Sequence, residues 1–261
     1  MYNLETIIGN NSLLLWKRNS NKSNIFPNGN PELDNIVKSH ALKLWERSLN
    51  ELPSKVPNAR LSKWQDFCYD EASSLCKDVK SYCVSTQDTC PDEESLIKVR
   101  NKFIGNQFEI FINNYFLLGL GSKYIDLGSY TPVDPTNEFG ADAYATLDGM
   151  PIGIQMKNHR NPLDSDVMSE AGMEYLREIS SLEYFQNMTI NELKSIGYQQ
   201  YIISITPFKD TRVVDTEDER WGYLNRYVKF IGPKELTNTL CKDNLLLKRF
   251  FQNAIDNILS M

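Results

Sequence analysis

Histidine is scarce in this chain of 261 residues, which contains only His40 and His159. Neither lies near a recognisable nucleophile motif, so a serine or cysteine nucleophile activated by a histidine base has little support. His40 falls within a predicted helix, where we expect a surface or capping role, and the sequence shows no partner that would make it a ligand. The sequence also lacks the Gly-x-Gly-x-x-Gly and P-loop motifs, the Gly-x-Ser-x-Gly elbow and the His-Glu-x-x-His zinc motif. These absences argue against dinucleotide-binding, P-loop, α/β-hydrolase and zincin enzymes.

Long apolar runs are absent as well. No run approaches the roughly 20 residues that a membrane-spanning helix needs, so we expect no membrane partner. Glu5, Asn10 and Asn11 interrupt the first residues, which therefore do not resemble a secretory signal. The five cysteines are an odd number, and without a secretory signal they indicate free thiols in a reducing, cytoplasmic compartment.

The cysteines also lack the spacing of a structural zinc site. Such sites usually pair cysteines about two to four residues apart. Four cysteines here instead recur at near-heptad intervals, at Cys68, Cys76, Cys83 and Cys90. This spacing predicts one face of a helix, where a free cysteine packs as a small apolar residue.

The chain has no excess of positive charge, since its formal net charge is −6. A nucleic-acid-binding protein usually carries a basic patch, so this balance counts modestly against one, although the local distribution decides. The most basic patch near a terminus includes Lys17 and Arg18, which could contact a phosphate backbone. A solvated arm explains these residues equally well.

One stretch, residues 140–157, predicts a β-hairpin. Asp148-Gly149 is the dipeptide that most readily forms a two-residue turn, because type I′ geometry needs positive φ at both central positions. A two-residue turn would pair Leu147 with Met150 and would set Asp142 opposite Gln155. Because side chains alternate along a strand, each strand has one apolar and one polar face.

The predicted polar faces bring together Asp142 from one strand and Gln155 and Lys157 from the other. Carboxylate and carbonyl oxygens suit Mg²⁺, so Asp142, the Gln155 amide oxygen and the Met156 backbone carbonyl predict a magnesium site. A bound divalent ion polarises a phosphoryl oxygen and lowers the pKa of a bound water. Lys157 would orient or deprotonate that water, or offset charge in the transition state. An ordinary surface hairpin is the alternative.

This pattern resembles the core motif of the PD-(D/E)xK nuclease superfamily, in its Gln-x-Lys form. The resemblance covers about residues 95–210 and includes an upstream Gly-x-x-Phe-Glu segment at Gly105–Glu109. It implies that Glu109 belongs to the metal site and that Mg²⁺, or Mn²⁺ in its place, is the cofactor. Gln155 departs from the more usual acid, which puts metal affinity in doubt. Asp134 and Glu138 are further candidate ligands, although each is more typical of a turn.

The resemblance implies an α/β fold, a restriction-endonuclease-like mixed central sheet flanked by helices, with an N-terminal helical region. We expect residues 1–94 to serve DNA recognition or dimerisation, and residues 95–261 to form the nuclease core with C-terminal helices. Helical periodicity predicts six helices, with a break in the third at Gly105. They span residues 32–52, 62–83, 95–118, 168–185, 234–240 and 245–259. Residues 201–206 and 227–231 predict strands.

The function implied is a Mg²⁺-dependent endonuclease acting on double-stranded DNA, of the type II restriction class. Because palindromic DNA sites are bound by proteins with matching two-fold symmetry, we expect a homodimer. His159 and Arg160 follow the strand that carries Lys157. Contact of these two residues with phosphate and their placement in a solvated loop are equally good interpretations. A repair, recombination or mobile-element nuclease, and a DNA-binding relative without catalysis, remain alternatives.

Overall fold

The computed structural model describes residues 31–86, 91–117, 127–132, 143–147, 150–156, 202–205, 228–231, 236–237, 240 and 243–259. The described part of the chain includes four long helices: α1 (Pro31–Glu51), α2 (Arg60–Thr86), α3 (Glu93–Leu117) and α4 (Asn244–Leu259). It also includes five short strands: β1 (Leu127–Pro132), β2 (Ala143–Leu147), β3 (Met150–Met156), β4 (Ile202–Ile205) and β5 (Val228–Ile231). The helix predicted over 168–185 lies outside the described residues.

The boundaries of the helices follow from local chemistry. Pro31 opens α1, and Pro53 and Pro57 occupy two short 3₁₀ turns that separate α1 from α2. Ahead of α3, the Asp92 carboxylate accepts a hydrogen bond of 2.7 Å from the backbone N–H of Ser95. Hydrogen bonds from the Ser95 side chain and from its backbone N–H lower the pKa of Asp92. Asp243 accepts a similar bond of 3.0 Å ahead of α4. The helix continues through Gly105, so the predicted break there is wrong.

The predicted fold class, an α/β restriction-endonuclease-like sheet flanked by helices, is wrong for the described chain. Most described residues are helical, and each strand has at most seven residues. The long helices pack chiefly on one another, α1 against both α2 and α4, and α3 against α2. The apolar faces of these helices bury each other, because each helix finds an apolar partner in another helix.

The chain divides into two compact units, and this division differs from the predicted one at residue 94. Unit 1 comprises Met1–Leu118 and Thr237–Met261, whereas unit 2 comprises Gly119–Leu236. The helix that we assigned to the nuclease core, α3, therefore belongs with α1, α2 and α4. Within unit 2, the described strands pair in the order β1–β2–β3–β4–β5. The β1–β2 and β2–β3 pairs are antiparallel, and the β3–β4 and β4–β5 pairs are parallel.

The core of unit 1 is aromatic. Its rings come from all four helices and are almost completely buried: Trp45, Trp64, Phe103, Phe108, Phe111, Tyr115, Phe250 and Phe251. Trp45 lies near the centre, with ring centroids of Trp64, Phe111, Phe250 and Phe251 between 6.0 and 6.5 Å away. Its indole N–H donates a buried hydrogen bond of 2.8 Å to the Gln107 side-chain oxygen. Large rings with this geometry contribute both apolar burial and favourable edge-to-face contacts.

The cysteines of α2 behave as the sequence predicts for the described residues. Cys68, Cys76 and Cys83 form no disulfide bond, and Cys68 and Cys83 are buried. Burial raises the pKa of Cys68 far above its ordinary value and also raises that of Cys76. Both thiols are therefore held in the protonated form, which is the less reactive one.

Arg60, the first residue of α2, links this helix to the segment before it and to residues near the start of α4. Although it is charged, its side chain is only 3% exposed. The guanidinium donates hydrogen bonds of 2.6 Å to the Leu240 carbonyl and to the Asn244 side-chain oxygen, and 3.1 Å to the Pro53 carbonyl. A fourth bond of 3.3 Å reaches the Lys55 carbonyl. The fork of five N–H donors suits such a set of acceptors, which a lysine would not satisfy.

We expect Arg60→Met to lower the free energy of unfolding by about 2–4 kcal/mol, because one buried and three partly buried hydrogen bonds are lost together. Urea unfolding followed by circular dichroism measures this change. Arg47→Met is the matched control, since Arg47 is 34% exposed and lies 3.9 Å from the Phe67 ring centroid. Its loss should be below about 1 kcal/mol. Equal losses in the two variants would contradict the assigned role of Arg60.

Candidate functional site

The β2–β3 hairpin forms with the register that the sequence predicts. Leu147 pairs with Met150, and the ladder continues without a shift to Ala143 paired with Ile154. The next step of the same register would set position 142 opposite position 155. Asp142 itself lies outside the described residues, so the Asp142–Gln155 pairing stays a prediction, one residue beyond the observed ladder.

The predicted apolar face of this hairpin is confirmed where it is described. Ala143 and Ile154 are fully buried, and Ala145 and Met156 are 4% and 5% exposed. These four residues alternate along their strands, so they share one face of the hairpin. The same alternation of side chains predicts that Asp142, Gln155 and Lys157 lie on the opposite face of the hairpin.

Two of the predicted magnesium ligands lie at the end of β3. Gln155 pairs with Ser204 of β4, and Met156 pairs with Ile205 in the same parallel ladder. β3 is flanked by β2 and by β4, but the observed ladder with β2 ends at Ile154, so at Gln155 and Met156 the observed pairing is with β4. Lys157 is the residue immediately after the strand and lies outside the described residues.

Glu109, the fourth predicted site residue, is a half-buried residue in the middle of α3. Its neighbours Phe108 and Ile110 are buried in unit 1. Its assignment to the metal site therefore stays a prediction based on resemblance. The remaining candidates lie outside the described residues: Lys17, Arg18, Asp134, Glu138, His159 and Arg160.

The structure adds one polar cluster that sequence reasoning missed. His40 of α1 is only 2% exposed, and both of its ring nitrogens face carboxylates of α2. Nδ1 lies 2.9 Å from Oε2 of Glu71, and Nε2 lies 3.0 Å from Oδ2 of Asp78. The expected surface or capping role of His40 is wrong, because its ring is buried between these two carboxylates. Glu71 and Asp78 are seven residues apart on one helix face, but the sequence did not show that this face meets α1.

The His40 cluster is not arranged as a metal centre. Each carboxylate faces a different ring nitrogen, so the two carboxylates lie on opposite sides of the imidazole. In the part of the chain that the structure describes, no group of three or more histidine, cysteine, aspartate or glutamate side chains is placed to hold a metal ion.

Comparisons with known proteins add little to this picture. No family model matches the chain, and no curated protein matches it. Among solved structures, the crystal structure of protein VC1899 from Vibrio cholerae matches with a TM-score of 0.28 and 15% sequence identity. That alignment covers 87% of this chain and 58% of the other, so the chain spans little more than half of that protein's length. A likeness this weak supports neither a fold nor a function. Separately, none of the described helices is long and apolar enough to span a bilayer.

Proposed function

We propose that this protein is a Mg²⁺-dependent endonuclease that hydrolyses phosphodiester bonds in double-stranded DNA. The observation that carries the proposal is the register of the β2–β3 hairpin. Its observed ladder ends at Ala143 and Ile154, immediately before the positions of Asp142 and Gln155. The resemblance of this motif to the PD-(D/E)xK nucleases supplies the activity.

The donor set at this end of the hairpin suits magnesium. It offers one carboxylate, one side-chain amide oxygen and one backbone carbonyl, and Mg²⁺ prefers oxygen ligands while keeping several waters. When bound, the ion would supply Lewis acidity at the phosphoryl oxygen and a more acidic water. Mn²⁺ accepts the same kinds of ligand and should substitute for it.

Each proposed residue has a separate task. Asp142 anchors the ion with its carboxylate, and Gln155 and Met156 add neutral oxygens on the neighbouring strand. Lys157 orients the attacking water or offsets the negative charge that develops on the phosphoryl group. Glu109 is an additional acidic residue of the site in this proposal, on the basis of the resemblance alone.

We further propose that the enzyme cuts at defined sequences, as restriction endonucleases do, and acts as a homodimer. A symmetric dimer would present two copies of the site to the two strands of a palindromic target. Incubation of the purified protein with plasmid and phage DNA tests this, with Mg²⁺, Mn²⁺ or EDTA. Discrete fragments that require the metal would support a sequence-specific endonuclease, and smears or nicks would point to repair or recombination. Absence of cleavage with either metal would overturn the proposed function.

Gln155→Glu should retain cleavage and should lower the Mg²⁺ concentration needed for half-maximal rate, because a carboxylate binds the ion more strongly than an amide oxygen does. A shift of about threefold to tenfold corresponds to roughly 0.7–1.4 kcal/mol in metal binding. Gln155→Leu is the matched variant that removes the oxygen, and it should require more Mg²⁺. If both variants show the wild-type Mg²⁺ dependence, Gln155 is not a ligand.

A further inference from the structure

The strand β4 has one polar residue among isoleucines. Its four residues are Ile202, Ile203, Ser204 and Ile205. Isoleucine is enriched in strands because its branched side chain packs well on a pleated surface, and serine lacks this advantage. The pairing of β4 with the strands beside it suggests what Ser204 does at this position.

The parallel ladders place Ser204 between Gln155 and Phe230. Gln155 of β3 pairs with it on one side, and Phe230 of β5 pairs with it on the other. Neighbouring strands lie about 4.8 Å apart, and paired positions share one face of a sheet. A phenyl ring has no conventional hydrogen-bonding group, whereas a glutamine amide has both a donor and an acceptor. Of these two neighbours, Gln155 is therefore the one that suits a serine hydroxyl.

Gln155 is also the position that the hairpin register sets opposite Asp142. The observed ladder of β2 with β3 ends at Ala143 and Ile154, one step before this predicted pair. A row across three strands would therefore contain Asp142, Gln155 and Ser204, with the glutamine in the middle. The proposed magnesium ligand Gln155 would then have an acid on one side and a hydroxyl on the other.

An amide ligand has a requirement that a carboxylate ligand does not have. An ionised carboxylate has two acceptor oxygens, whereas a glutamine amide has one oxygen and one NH₂ group that only donates. The two ends of the amide have nearly the same shape, so a neighbouring group must decide which end faces a cation. An acceptor beside the NH₂ group directs the amide oxygen to the ion. A serine hydroxyl can be this acceptor, since its oxygen carries two lone pairs.

We propose that Ser204 is a positioning residue of the magnesium site, which accepts a hydrogen bond from the Gln155 amide and so directs the amide oxygen to the ion. This inference rests on the proposed function, because the ion belongs to that proposal. It gives one explanation for two unusual residues, a glutamine in place of the usual acid and a serine in an apolar strand. Loss of a group that orients a metal ligand typically weakens metal binding by about 10-fold to 100-fold.

Binding of Mn²⁺ tests the role of Ser204 without requiring catalysis. Bound Mn²⁺ loses the sharp electron paramagnetic resonance spectrum of the free ion, so a titration at constant pH measures the affinity of each variant. Binding that is lost in Asp142→Ala belongs to the proposed site. Ser204→Ala should weaken this binding by about tenfold, because the amide is no longer oriented. Ser204→Thr retains the hydroxyl and should keep the wild-type affinity.

The Gln155→Glu variant separates orientation of the amide from a general effect on the strand. A carboxylate has an oxygen at both ends, so adding Ser204→Ala to Gln155→Glu should weaken Mn²⁺ binding by less than about twofold. Thr146→Val is the matched control, because it removes a strand hydroxyl near the turn of the same hairpin, where Thr146 pairs with Pro151. This control should bind Mn²⁺ as the wild type does. Equal weakening by Ser204→Ala with and without Gln155→Glu, or no weakening at all, would overturn the proposal.

Cleavage of DNA by the same variants is measured separately, so the two proposals can fail independently. If Mn²⁺ binding depends on Ser204 in this way but no variant cleaves DNA, the role of Ser204 is supported and the nuclease proposal is overturned. If the wild type cleaves DNA and Ser204→Ala binds Mn²⁺ equally well, only the role of Ser204 is overturned. A wild type that binds no Mn²⁺ at this site also overturns that role.

Discussion

Replacing either Asp142 or Lys157 with alanine should abolish metal-dependent DNA cleavage, with a loss of at least about a thousandfold in rate. Asp142 supplies the only carboxylate of the hairpin's proposed ligand set, so its removal should cost most of the metal affinity. Lys157 acts on the water or on transition-state charge, and the loss of one such group typically lowers a rate by a factor of about 10²–10⁴. Single-turnover cleavage of a labelled duplex, with Mg²⁺ in excess, measures both losses.

The two variants should fail in different ways. For Asp142→Ala, a higher Mg²⁺ or Mn²⁺ concentration should restore part of the rate, whereas for Lys157→Ala it should not. Lys98→Ala is a suitable control, because Lys98 is an exposed residue of α3 that pairs with Glu94 in the same helix. The Lys98→Ala variant should cleave DNA at the wild-type rate. Cleavage by Lys157→Ala at that same rate, with its fold intact by circular dichroism, would show that the site is misassigned.

Trp45→Ala should lower the free energy of unfolding by about 4 kcal/mol or more. Replacing a fully buried large aromatic residue by alanine ordinarily costs about 3–5 kcal/mol, because contacts are lost and a cavity remains. Here the change also leaves the buried Gln107 side-chain oxygen without the indole donor that lies 2.8 Å from it. An unpaired buried acceptor adds about 1–3 kcal/mol. Urea unfolding at constant pH measures the total.

Trp45→Phe separates the two contributions. The phenyl ring fills part of the site between the neighbouring aromatic rings but cannot donate to Gln107. We expect it to cost roughly half as much as Trp45→Ala. Phe67→Ala is a less central comparison, since the Phe67 ring contacts the partly exposed Arg47. A loss below about 1 kcal/mol in Trp45→Ala would mean that the aromatic core is not what stabilises unit 1.

Local signals in the sequence predicted the elements well where the structure describes them. Apolar periodicity placed all four long helices, and Pro53 and Pro57 marked the end of α1. The Asp148-Gly149 dipeptide fixed the register of the hairpin, because a two-residue turn allows only one pairing of its strands. These are effects of neighbouring residues, which a single sequence contains in full.

The partners of helices were not predictable in the same way. An amphipathic helix shows that it must bury one face, but it does not show which element covers that face. We assigned α3 to a layer against the sheet on the strength of a short motif, whereas its aromatic residues pack in unit 1 with Trp64 and Phe250. The same reason explains why the partners of His40 were missed, since Glu71 and Asp78 are more than 30 residues away.

The arrangement of unit 1 has a consequence for synthesis on the ribosome. Helices α1, α2 and α3 are complete by Leu117, but α4, which carries Phe250 and Phe251 into the same core, begins only at Asn244. A nascent chain therefore exposes the aromatic faces of α1 and α3 while more than a hundred further residues are added. Exposed apolar surface of this kind invites aggregation and chaperone binding. The last helix completes the core, so a ribosome-bound chain that stops before residue 244 should remain sensitive to protease.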